Sequence, residues 1–439
     1  MIRTRLFTLM CTLLIGCICL ACAPVSAPPW QGSAPTPEPV EITLLSPGED
    51  SGEDPHIQDF MDQHPDITVI SYPVRGWRWG DELVQGIRQA AEETGDRRGT
   101  PDVIYTRADF LDSLGQEGYL LDLSPFMHEA GDLSPEAFFP ELIEPLRIGD
   151  QVFVLPMAVD PVMLYYNADM FAHRGIAPPT ADWTWDDLLQ AAVQFAEPDA
   201  VPPVYGLLLI EVLPFIYQNG GSLVDDPLVP TRFTLDSPDT VEAIEWLVDL
   251  ETFYRVSPSL EEAMRHPARA FITVLEGRVA MWVSSMSFRN YVSAETVWPF
   301  QWGVAPLPQG RYRATVGSVE GIAILKNAND PRACWELVRY LASYLPPGAG
   351  PLPELPALRS LAESQEFLNR MPEEGVEAYE QSLSFLMPTL KLPAGVEWQL
   401  YQILQRNLTP VFSGDMSPRD GLERAQGEAD RMLTPQLMQ

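Results

Sequence analysis

The sequence predicts an α/β protein in two lobes. Two observations carry this. From residue 41 onward, apolar runs of strand length alternate with amphipathic stretches of helix length, the pattern of parallel sheets covered on both faces. Once the opening segment is set aside, about 400 residues remain, more than one hydrophobic core organises. Ligands of such sheets bind beyond the carboxyl ends of the strands.

The chain opens with Arg3 and Arg5, followed by an apolar stretch from Leu6 to Leu20 that is too short to span a bilayer comfortably. It closes on small residues and cysteine in LIGCICLACAP. This arrangement resembles the export signal of a bacterial lipoprotein, whose cysteine becomes the lipid-bearing N-terminus. Cys22 gives the more usual leader length, residues 1–21, and is the preferred lipidation site; Cys17, after Leu14-Ile15-Gly16, is the better letter match and the alternative. An uncleaved membrane anchor is the competing reading. Residues 22–40 are rich in Pro, Ala and Ser without an apolar period, and so read as an extended tether reaching roughly 50 Å. A tail of no consequence fits that composition equally well.

Charge excludes some partners. The chain has 61 acidic and 28 basic residues, a formal net charge of −33. A body this acidic repels nucleic acid and anionic lipid. Its acids look scattered along the chain, which argues against a cation site. Four of the five cysteines lie in the leader; the fifth, Cys334, reads as a small buried apolar residue, so no internal disulfide is expected. The five histidines show no metal spacing. A Gly-x-Ser-x-Gly elbow and a phosphate-cradling loop are both missing. No cofactor, metal or catalytic residue is expected.

Along the body, EITLLS, DITVISY and PDVIYT read as strands, with helices through IQDFMDQH and WRWGDELVQGIRQAAEE between them. Ser46 follows the first strand, and Thr106 and Asp109 the third, so all three are placed to face a cleft. Ser46 before Pro47 is also a turn residue, and Asp109 also a helix cap. In SPDTVEAIEWLVDL, Val241, Ile244, Leu247 and Val248 form one apolar helical face.

The segment VFVLPMAVDPVMLYYNADMF resembles the family 1 extracellular solute-binding proteins, the maltose- and oligosaccharide-binding receptors of ATP-driven (ABC) importers. There a strand ends in Pro (Pro156), crosses to the second lobe and reaches a Tyr-Asn-x-Asp turn (Tyr166, Asn167, Asp169). Further motifs follow in family order to about residue 433: TWDDLLQAA, FIYQNGGSLVDD, LDSPDTVEAIEWLVDL, LEGRVAMWVSS, WGVAPLPQG, VGSVEGIAILKNANDPRACWELVRYLAS, GPLPELPAL and the closing FSGDMSPRDGLERAQGEADRML. The resemblance implies a two-lobe periplasmic-binding-protein-like fold with hinge crossovers near 156–160, 314–318 and 365–385. It implies a first lobe from 41–158 and 318–370, and a second from 159–317 and 371–439.

The resemblance also implies contact residues. Asp160 stands where the family often has an acid for sugar hydroxyls. Trp282, Ser284, Ser285 and Phe288 occupy a strand end that usually carries Gly and an aromatic. Glu320 lies at the second crossover, and Trp398 matches a late aromatic that stacks on a sugar face. A carboxylate accepts two hydroxyls, and a flat ring covers the apolar face of a pyranose. Core packing is the competing reading for Trp282 and for Trp398, which shares helical spacing with Tyr401 and Leu404. Near Leu208 to Phe215 the run LLIEVLPF is largely aliphatic where oligosaccharide binders carry aromatic and acidic contacts, and Thr106 replaces an aromatic. Both departures imply a shorter or less purely sugar-like ligand; Trp77 and Trp79 are open as a substitute platform. The implied protein is a lipid-anchored, extracytoplasmic monomer that binds a carbohydrate or related polyol and delivers it to an ABC permease. A ligand sensor without transport and a lipid-tethered carbohydrate-active enzyme are the alternatives.

Overall fold

The computed structural model describes residues 39–47, 55–74, 101–285, 299–345, 354–370, 375–393, 396–432 and 434–437. The leader with Cys17 and Cys22, nearly all of the tether, the stretch with Trp77 and Trp79, and Phe288 lie outside them. In the described residues no helix is long and apolar enough to cross a membrane.

The first three strands are β1 (Val40–Pro47), β2 (Ile67–Val74) and β3 (Val103–Arg107). A two-stranded ribbon, β4 (Arg147–Ile148) and β5 (Gln151–Val152), precedes β6 (Leu155–Pro161). Then come β7 (Met163–Asn167), β8 (Tyr205–Leu209), β9 (Val279–Ser284), β10 (Trp302–Ala305), β11 (Gly317–Ile324) and β12 (Leu355–Pro356). One sheet has the order β12-β6-β11-β3-β1-β2, the other β10-β7-β9-β8.

The sheets are mixed, which corrects the expectation of parallel ones. β1 pairs in parallel with β2 and β3, but β11 lies antiparallel between β3 and β6. The reason is directional. Strands β3 and β6 run toward the second sheet, whereas β11 starts where the chain comes back from it. In the second sheet only β8 and β9 are parallel.

Local sequence explains the element ends. Asn167 accepts from the Met170 amide at 3.0 Å and starts the helix Ala168–Arg174. Thr184 and Asp187 form a reciprocal capping box on the helix Trp185–Phe195. Ser237 caps Pro238–Thr252, and Asp330 caps Pro331–Ala342. Buried Asp102 accepts from the Thr43 hydroxyl at 2.7 Å and the Asn329 amide at 2.9 Å, tying β1 to the turn after β11. Cys334 is fully buried, and burial pushes its thiol up to about 12.

The two sheets meet at a narrow seam. The chain leaves the first sheet at Pro161 and enters the second at Met163, with Val162 alone between them. It returns through Thr315 and Val316 into β11. The Val162 amide donates to the Val316 carbonyl at 2.8 Å, and the buried Thr315 hydroxyl donates to the Val162 carbonyl at 2.5 Å. A third segment joins them: the Thr315 amide donates to Phe385 O at 3.0 Å, and the Met387 amide to Thr315 O at 2.8 Å. Thr315→Val keeps the shape but removes the hydroxyl donor from a buried carbonyl. We expect a loss of about 1–3 kcal/mol of stability, measured by urea unfolding; wild-type stability would show that the hydroxyl does not hold the seam.

Candidate functional site

The residues around this seam are polar beyond what structure requires. Asp160, 1% exposed, is the penultimate residue of β6 and pairs with Ser318 of β11. Glu320 lies two residues along β11 on the same face, diagonal to Asp160. On the other side β12 pairs Leu355 with Val159, so Glu354 continues the ladder beside Asp160. The first sheet thus presents three carboxylates on three neighbouring strands. A fourth, Glu211, follows β8 of the second sheet and is close enough for Asp160 to act on its charge.

Their surroundings suppress charge. Burial pushes the Glu211 carboxyl up to about 7, and the neighbouring Asp160 adds to the effect. Glu354 is raised by burial and then by Asp160 and Glu320. Tyr165 of β7 and Tyr379 of the helix Gly375–Leu383 share a buried hydroxyl contact of 3.0 Å. Both phenols are raised by burial, with Asp160 adding to each. Tyr105 of β3 is raised by burial, Glu320 and Glu354. Low dielectric and like charges act in one direction here, toward neutral acids. Such groups exchange hydrogen bonds with hydroxyls, as donor or acceptor. Among the described residues no three of the His, Cys, Asp and Glu side chains are arranged to hold a metal ion.

The residues singled out from sequence separate into groups. Asp160 and Glu320 come together. Ser46 lies within the end of β1, opposite Pro73, and Asp109 is the second residue of the helix Ala108–Gln116. Thr106 is buried with its hydroxyl unpartnered, but strand alternation turns it to the face of Ile104, away from Tyr105 and the acids. Trp282 is 1% exposed and stacks on Tyr165 at 5.8 Å, so its indole packs behind the tyrosine instead of lining an opening. The Ser284 hydroxyl donates to the Ser285 carbonyl at 2.6 Å at the end of β9. Trp398 is 42% exposed at the start of the helix Val396–Phe412, stacked on Tyr401 at 5.4 Å. Beside it, Glu397 pairs at 3.3 Å with Arg107, the last residue of β3.

Two expectations need correction. The acids are not merely scattered: four from distant positions converge. The LLIEVLPF run is not without an acidic contact, because it supplies Glu211. Sequence reasoning missed Glu211, Glu354 and the tyrosine pair. The available signal was a single acid inside an otherwise apolar run, LLIEVLPF and PLPELPAL.

Comparison with known proteins places this architecture. The family model described as bacterial extracellular solute-binding protein matches residues 46–344, well over half of the chain. A Brucella abortus protein whose name describes it as a binding protein is 23% identical over 287 residues, covering 64% of this chain and 66% of that one. A Deinococcus radiodurans protein named as an ABC transporter-binding protein is 26% identical over 255 residues, 51% and 54% of the two chains. The chain therefore spans less than two thirds of these relatives' lengths. Among solved structures, the Listeria monocytogenes ABC substrate-binding protein Lmo0181, in complex with cycloalternan, superposes with a TM-score of 0.70 at 22% identity, covering 90% of this chain and 98% of that one. Maltose-bound MalE3 of T. maritima gives 0.67 at 19%, covering 90% and 100%. A fold that superposes on these structures along nearly its whole length and a family match across both sheets lead to one conclusion: the chain belongs to the bacterial extracellular solute-binding proteins, a family of binding proteins.

Proposed function

We propose that this protein is a lipid-anchored, extracytoplasmic receptor that binds a carbohydrate between its lobes and hands it to an ABC permease. The observation that carries this reading is the meeting of Asp160, Glu320 and Glu354 from one sheet with Glu211 from the other, at the seam where the chain crosses. A hydroxyl-rich ligand satisfies such groups from both sides at once, which couples binding to closure of the lobes. Solved neighbours bind cycloalternan and maltose, and the GacH receptor of Streptomyces glaucescens binds acarbose. Binding without turnover, a monomeric state and lipidation at Cys22 (or Cys17) complete the reading. Ser46, Asp109, Ser284 and Ser285 at the strand ends are proposed secondary contacts, together with Phe288.

The full-length protein in detergent should gain melting temperature with a mono-, di- or oligosaccharide. Ligand at a hundred times its Kd adds about 2.7 kcal/mol. The sugar should be recovered unchanged; turnover would replace the receptor by an enzyme, and no shift with any sugar would remove the carbohydrate assignment. Asp160→Ala should weaken the recognised sugar by at least about tenfold, some 1.4 kcal/mol, without loss of fold. Unchanged affinity takes Asp160 out of the site. The double change Cys17→Ser and Cys22→Ser should abolish metabolic labelling with palmitate; persistent label would exclude both cysteines.

Glu211 gives a pH signature. Its folded pKa is raised, so the folded state keeps a proton that the unfolded chain releases above the ordinary glutamate range. The stability it contributes is complete below that range and is lost as pH rises toward about 7. Glu211→Gln should therefore flatten the stability profile between about pH 5 and 7 and be about 1–3 kcal/mol more stable than wild type at pH 8. Parallel profiles for the two proteins would show that Glu211 titrates normally.

A further inference from the structure

Glu211 and Glu354 reach the site from different sheets. Glu354 precedes Leu355, which pairs with Val159, so it stands level with Asp160. Glu211 comes just after β8, whose ladder runs on through the Ile210 amide to the Val283 carbonyl at 3.2 Å. Ser284, the next residue of β9, pairs with Met163 at the seam. Tyr105 lies on the same face of β3 as Arg107, which pairs in register with Glu320. Among the described residues, the carboxyls of Glu211 and Glu354 and the Tyr105 hydroxyl have no hydrogen-bond or ion-pair partner. All three residues are only half-buried by exposed area, yet desolvation is the largest influence on each. That combination marks side chains that line a concavity, packed around but open toward one side.

The charges around these groups have one sign. Asp160 acts on Glu211, and Asp160 and Glu320 act on Glu354; no basic side chain among the described residues acts on either. Arg107, at the end of β3, pairs with Glu397 at 3.3 Å and is not among those influences. An enclosed acid normally has a hydrogen bond or a countercharge. Here both are missing, on two acids from two sheets. A neutral hydroxyl supplies the hydrogen bond without the charge, so the acids must face each other as like charges or stay protonated. A protonated amine supplies both. It carries three N–H donors and no acceptor, enough for both carboxyls and the phenol oxygen. A hydrogen bond from ammonium to carboxylate is about twice as strong as one between neutral groups. The net charge of −33 draws cations toward the whole body, and a cleft lined by one sign focuses that field.

We propose that the cleft selects a carbohydrate bearing a protonated amino group, held between Glu211 of the second sheet and Glu354 of the first. The inference rests on the carbohydrate reading above and narrows it from sugars in general to amino-bearing ones.

The test uses matched sets: glucosamine, galactosamine, mannosamine and the chitosan disaccharide, each beside its N-acetylated form and its hydroxyl parent. Kd values are measured by titration calorimetry at pH 7 with the full-length protein in detergent. The N-acetyl form keeps the nitrogen and removes the charge. In at least one set the amino form should bind about tenfold or more tightly than both counterparts. Glu211→Gln and Glu354→Gln, made separately, should each cost the amino form about tenfold more than they cost the hydroxyl parent. Amino forms that bind no better than their counterparts in every set overturn the ammonium site and leave the carbohydrate receptor standing. A preference that survives both changes does the same. Should either variant melt early, the wild-type contrast between amino and N-acetyl forms still decides. Absence of any melting-temperature gain with sugars of either kind overturns both readings.

Discussion

The structure depends on the seam at Thr315. Three chain segments distant in sequence meet there: Val162 leaving the first sheet, Thr315-Val316 returning to it, and Phe385 to Met387 from the C-terminal part. All of the bonds are short-range and involve main-chain groups. A contact of this kind fixes where the two sheets join. It also sets the polarity of both sheets. β11 must enter the first sheet from the seam, so it runs against β3 and β6 and places Glu320 at the same edge as Asp160.

That edge concentrates like charge where stability alone would avoid it. Carboxylates on adjacent strands repel, and burial disfavours their ionised forms further. An apolar seam would serve folding better. Retention of four acids and three buried phenols at one edge is the kind of local conflict that marks a functional surface. On the proposed function a sugar resolves it, because its hydroxyls both donate and accept and tolerate either protonation state of the acids.

Much of the fold was legible in the sequence, and the reason is local. Asn167, Thr184, Ser237 and Asp330 sit where caps must be, so helix starts follow from short-range hydrogen bonding. Strand direction was not legible, since the EGIAIL run of β11 looks the same in either orientation. The site was half legible. Asp160 and Glu320 were singled out because they flank crossovers. Glu354 and Glu211 depend on register between strands far apart in the chain, which no local pattern encodes. Trp282 and Trp398 show the opposite limit: two tryptophans with similar sequence claims, one enclosed behind Tyr165 and one exposed on a helix.

An exposed ion pair outside the seam, Arg107–Glu397, joins the end of β3 to the helix Val396–Phe412, with the guanidinium also 4.6 Å above the Phe110 ring. Its side chains are 28% and 51% exposed, and a pair in such solvent contact contributes about 0.2–1 kcal/mol. A lobe equilibrium moved from mostly open to mostly closed needs about 5.5 kcal/mol of differential binding. The ion pair is therefore too weak to hold the lobes together unaided. On the proposed function most of the closing energy comes from the ligand, through groups that a bridging molecule can join: the three carboxylates of the first sheet and Glu211 of the second.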